Sequence, residues 1–130
     1  MMQAEIVKEW IEKGEEDFGF AATSIDYTDH FAQICFHFQR AAEKYLKAFI
    51  IADNLEFRPI HNLLELFEIC KQKEPSIEEI KEACRYPNPF YIDTRYPVHW
   101  PTAYSRETTV KAKELAGKIR KWIKDFVKLQ

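Results

Sequence analysis

The stretch Ile34-Cys35-Phe36-His37-Phe38-Gln39-Arg40-Ala41-Ala42-Glu43-Lys44-Tyr45-Leu46-Lys47-Ala48 decides how the rest of the chain is read. With its flanks, Phe31, Cys35, Phe38, Ala42, Tyr45, Phe49 and Ala52 return at steps of four and three. That is the period of an α-helix with one apolar stripe, not the alternation of a strand. Phe36, Ile50 and Ile51 fall outside the stripe. A helix apolar on more than one side belongs at the centre of a bundle or against a second subunit.

The same period recurs on either side. Val7, Ile11, Gly14, Phe18, Ala21 and Ile25 mark a first helix, and Ala112, Leu115, Ile119, Trp122, Phe126 and Leu129 mark a last one. Shorter pieces lie between. Residues 54–60 form a connection in which Pro59 keeps Arg58 extended. Residues 62–73 form a short helix with Leu63, Leu66, Phe67 and Cys70 inward. Ser76 and Glu79 stand at capping-box spacing and are expected to open another helix, ending near Tyr86 before Pro87 and Pro89. Residues 87–102 then make a proline-punctuated loop rich in aromatic rings. The expected fold is all-α, an up-and-down bundle of about four to five helices forming a single domain over residues 1–130.

Composition agrees. The chain is 46% hydrophobic and has only three glycines, which suits a packed helical core better than a turn-rich sheet protein. A formal net charge of -2 lacks the basic excess of a constitutive duplex-binding protein. The acidic residues gather in the first helix and the lysines in the last, as expected of two solvated faces that complement each other in a bundle. Cys35, Cys70 and Cys84 are odd in number and form no CxxC pair. They are expected to be reduced core thiols in a cytoplasmic protein. The longest apolar run is too short for a membrane span, and the start of the chain turns acidic too soon for a secretory signal.

Glycine-rich phosphate loops, GxSxG, HExxH and zinc-spaced Cys/His clusters are all absent from the sequence, so neither a metal nor a cofactor is expected. Two constellations carry chemistry. Gln33, His37, Arg40 and Lys44 step by four, three and four down one helix face. Arg and Lys donate to anionic oxygens and His can share a proton, so the row could hold a phosphate or nucleotide. It could equally be the solvated face of an amphipathic helix. Glu43 and Lys47 are expected to form an ordinary surface ion pair. The second constellation is the aromatic loop that contains Tyr91, Arg95, Tyr96 and His99. Arg95 and His99 could bind a phosphate and transfer a proton, as ribonuclease chemistry requires. The loop could instead be a lid whose rings seal the end of the bundle.

The Ile34–Ala48 segment resembles the signature of prokaryotic HEPN-domain proteins, joined in order by Pro59-Ile60-His61-Asn62-Leu63, Tyr91-Ile92, Arg95-Tyr96-Pro97 and the long last helix. The resemblance implies a helical bundle, usually a homodimer, often paired with a minimal nucleotidyltransferase as a toxin–antitoxin system. Many members are metal-independent ribonucleases that use an Arg and a following His; others bind nucleotides or act as non-catalytic partners. Taken with the helix row and the near-neutral charge, the candidate nucleotide- or RNA-phosphate-binding residues are His37, Arg40, Lys44, His61, Tyr91, Arg95 and Tyr96, and the candidate catalytic pair is Arg95 and His99. The catalytic motif has a longer spacer than the three residues that separate Arg95 from His99 here, and Pro97 lies within it. A third reading is a structural homodimer with no small-molecule site.

Overall fold

The apolar stripes fix where each helix can go. In the computed structural model, which describes residues 2–90 and 104–127, α1 spans Met2–Ser24, α2 Phe31–Ala52, α3 Leu63–Lys73, α4 Lys81–Arg85 and α5 Arg106–Phe126. A 3-10 helix, Pro75–Ile80, joins α3 to α4. The described residues include no strand, and the all-α bundle read from the sequence is the fold.

α1 and α2 form an antiparallel hairpin, since Gln3 meets Ile51 and Asn54 at one end while Asp17 meets His37 towards the other. α5 runs parallel to α2, with Thr109 beside Cys35 and the Trp122 ring tilted against that of Phe49. α3 covers another side of α2, where the Cys70 thiol lies against the Leu46 carbonyl. α2 is therefore central and packs on α1, α3 and α5. That position buries Ile50, which lies off the main stripe, whereas Phe36 and Ile51 are only partly covered. Leu63, Leu66, Phe67 and Cys70 of α3 all face inward as their spacing requires. All three cysteines are buried free thiols. Among the described residues no helix is long and apolar enough to cross a membrane.

Local chemistry sets the helix ends. The Asn62 side chain accepts from the Leu64 and Glu65 amides, and that of Ser105 from the Thr108 amide, so each meets N–H groups that a first turn leaves without partners. At the end of α2, Asn54 takes a left-handed φ of 57° while the amides of Leu55 and Asn54 return to the carbonyls of Ile50 and Ile51. This is the glycine-type helix stop, here made with asparagine. The capping box expected at Ser76 does not form. Glu74 precedes the turn, and the Ser76 hydroxyl donates to its carboxylate at 2.6 Å. A 3-10 turn eclipses side chains three apart, and so inserts both Ile77 and Ile80 into the core where an α-turn would spread them.

Candidate functional site

The 100° step of α2 sets His37, Arg40 and Lys44 on one arc, and the antiparallel α1 brings Asp17 up beside it. His37 Nδ1 lies 2.9 Å from one Asp17 oxygen and Lys44 donates to the other at 2.6 Å. An ionised carboxylate only accepts, so the Nδ1–H of His37 is the donor. The other ring nitrogen, Nε2, has no hydrogen-bond partner among the described residues. Asp17 and Lys44 are largely covered, with side chains 14% and 16% exposed, while His37 is more open at 35%. The ammonium of Lys44 keeps two further N–H groups beyond the one Asp17 takes. Arg40 stacks over Phe36 at 5.7 Å and has no acidic partner among the described residues. Phe20, from α1, sets its ring edge-on to His37 at 4.9 Å between centroids and is 57% exposed. A groove of about 270 Å³ continues this face, lined by Glu9, Trp10, Lys13 and Lys44.

The neighbouring pair, Glu43 and Lys47, is not on the surface. Both residues are only 4% exposed, and Lys47 donates to Glu43 at 2.7 Å. His61 Nδ1 lies 3.1 Å from the same carboxylate. The rings of Trp10 and Phe57 stand 5.5 and 5.8 Å from the Lys47 ammonium and shut it from water. The His61 carbonyl in turn accepts from buried Gln39 at 3.0 Å. His61 thus joins a structural cluster that pins the α2–α3 connection, turning to Glu43 where His37 and Lys44 turn to Asp17.

A second ionic node closes the bundle. Arg120 grips both oxygens of Glu15, at 2.6 and 2.9 Å, Lys124 adds a contact at 2.8 Å, and the buried Tyr45 hydroxyl donates to the same carboxylate. The Arg120 guanidinium, helped by Lys124 and Tyr45, holds the Glu15 carboxyl down at about 2 against the opposing effect of burial. The acidic first helix and basic last helix do complement each other, but through this node rather than along whole faces.

Of the residues singled out in the sequence, the fold brings His37 and Lys44 together, sets Arg40 beside them and diverts His61 to Glu43. Tyr91, Arg95, Tyr96 and His99 lie outside the described residues. Sequence reasoning did not pick out Asp17 or Phe20 for this face; α1 could have supplied them only once its register against α2 was known. A larger surface cavity of about 650 Å³ runs along α5 and contains none of the predicted residues. Among the described residues, no group of three or more His, Cys, Asp or Glu is placed to hold a metal.

Comparison with known proteins gives consistent matches. The profile of the HEPN domain matches residues 7–126. TT1696 from Thermus thermophilus superposes with a TM-score of 0.83 at 28% identity, covering 93% of this chain and 98% of that one. ST0689, described as an archaeal HEPN homologue, shares the fold with a TM-score of 0.75 at 23% identity, covering 94% and 98%. No curated protein matches the chain.

Proposed function

The chain belongs to the HEPN family, and from that premise we propose that its α1–α2 face binds the phosphate of a nucleotide or RNA through His37, Arg40 and Lys44. The observation that carries this reading is the arrangement around Asp17. One carboxylate orients His37 and Lys44 side by side, and Arg40 stands next to them with no acidic partner among the described residues. An arriving phosphate meets the remaining N–H groups of Lys44 and the fork of Arg40, and Nε2 of His37 adds a third donor when the ring is protonated, since Nδ1–H is already given to Asp17. Asp17 has two effects here: it positions the donors, and its own charge weakens their hold on an anion.

Within this reading the protein is a homodimeric partner of a minimal nucleotidyltransferase in a toxin–antitoxin-like pair, as the family resemblance supports. Tyr91, Arg95 and Tyr96 are proposed to complete the phosphate site. Titration calorimetry with ATP and GTP tests the binding. The expected result is heat with wild type that is lost in Arg40→Ala and Lys44→Ala. No heat with either nucleotide, with or without the partner enzyme, sinks the reading. Incubation with total RNA in EDTA decides the alternative, a metal-independent ribonuclease. Cleavage abolished by both Arg95→Ala and His99→Ala would make the protein that enzyme instead.

A further inference from the structure

We infer that the same α1–α2 face is a stacking platform for single-stranded nucleic acid, with Phe20 as its principal base-binding ring; this rests on the phosphate-binding reading and specifies its ligand. Three observations lead there. Phe20 is a large apolar ring left 57% exposed on a helix whose other aromatic residues, Trp10 and Phe18, pack against the core. Its one ring contact among the described residues is the T-shaped contact with His37 at 4.9 Å, and at 57% exposure the ring is supported but not covered. The cations beside it are few and mostly paired. Lys44 is held by Asp17, Lys13 lies 3.7 Å from Glu16, and only Arg40 has no acidic partner on this face among the described residues.

A face of nearly balanced charge cannot hold a polyanion by counter-ion release alone, because that term grows with the number of uncompensated cations. Stacking supplies what charge does not, and it tolerates any base since every base has a π-face. The geometry also separates a strand from a mononucleotide. Trp10 lines the groove at the far end of the face. Ten residues of helix place it about 15 Å along α1 from Phe20. Trp10 is held there by Phe57 and Lys47 and takes no base, but the face between it and Phe20 is longer than one nucleotide, so a strand stacked on Phe20 can run its backbone past Lys44 and Arg40. A duplex, whose bases are already stacked on each other, offers the Phe20 ring no free base face.

The test is fluorescence anisotropy with a labelled single-stranded oligoribonucleotide of about ten nucleotides, a size within the range of known stacking grooves. Phe20→Ala is expected to weaken binding roughly five- to a hundredfold, Phe20→Trp to preserve it, and the same sequence annealed to its complement to bind more weakly than the single strand. Because Phe20 lies largely outside the core, an unchanged circular dichroism spectrum will accompany the variant. If Phe20→Ala binds like wild type while Arg40→Ala and Lys44→Ala lose affinity, stacking is overturned and phosphate binding stands. If none of the three variants changes affinity, both readings fall. Equal affinity for duplex and single strand also overturns the platform.

Discussion

Replacing Glu43 with leucine probes the strongest electrostatic commitment in the interior. The side chain of Lys47 is 6% exposed and donates to Glu43, with only the rings of Trp10 and Phe57 as other partners for its charge among the described residues. Removing the carboxylate leaves a buried ammonium without its anion, a change that costs about 3–5 kcal/mol in buried pairs. The Trp10 and Phe57 rings face Lys47 in wild type and variant alike and so cancel from the difference. The expected loss for Glu43→Leu is therefore about 3–5 kcal/mol. The converse change, Lys47→Met, should cost less, because Glu43 keeps His61 as a donor at 3.1 Å. The double variant replaces the pair by apolar groups of similar volume and should return to within about 1 kcal/mol of wild type. Urea unfolding followed by circular dichroism gives all three values, and a common slope will show that the unfolded states are comparable. A Glu43→Leu loss below about 1 kcal/mol, or a double variant no better than the worse single one, would refute the claim that this pair is buried and interdependent.

Other predictions follow from single contacts. The folded carboxyl of Glu15 sits at about 2 against an ordinary 4.5, chiefly because Arg120 hydrogen-bonds it. Its stabilising effect is thus complete above about pH 4.5 and drains away as the pH falls towards 2. Glu15→Gln should flatten the acid limb of the stability curve in that window, and an unaltered limb would show that the node carries no such linkage. A methyl at Gly14 would lie 2.9 Å from the Tyr45 ring, which Glu15 restrains, whereas at Gly19 it meets nothing within 4 Å. Thermal unfolding should therefore find Gly14→Ala destabilised by about 1–3 kcal/mol and Gly19→Ala stabilised by about 0.5–1 kcal/mol. The opposite order would contradict the packing. Burial pushes the Cys35 thiol up to about 11 and that of Cys84 up to about 12, and raises Cys70 further. A disulfide exchange reagent at neutral pH should leave all three unlabelled in the native protein and react with them in denaturant; rapid native labelling of any would contradict the burial.

The long helices were legible because a 3.6-residue period repeated over several turns admits little else, and the inward set of α3 was legible for the same reason. The status of Glu43 and Lys47 was not. An i,i+4 pair has the same spacing on a solvated face and under a lid, and what covers this one is Trp10, 37 positions before Lys47, and Phe57 beyond the end of α2. Asp17 shows the same limit. Its side chain meets His37 and Lys44 only because α1 and α2 pair in one register, and periodicity within each helix does not state that register. The misread start at Ser76 has a local cause. A capping box presumes an α-turn, and two isoleucines three apart were better buried by a tighter one.

The Glu15 node has a consequence in time. Its carboxylate waits for cationic partners 105 and 109 positions downstream, whereas Asp17 finds His37 after only 20. Closing the longer loop costs more chain entropy, and contacts of that separation are expected late on a folding route. The α1–α2 hairpin should then assemble first, with α5 docking as the closing step. Weakening Arg120 would hasten unfolding while leaving the refolding rate nearly unchanged. On a ribosome, the first two helices would emerge and pair well before the cation that neutralises Glu15 had been synthesised.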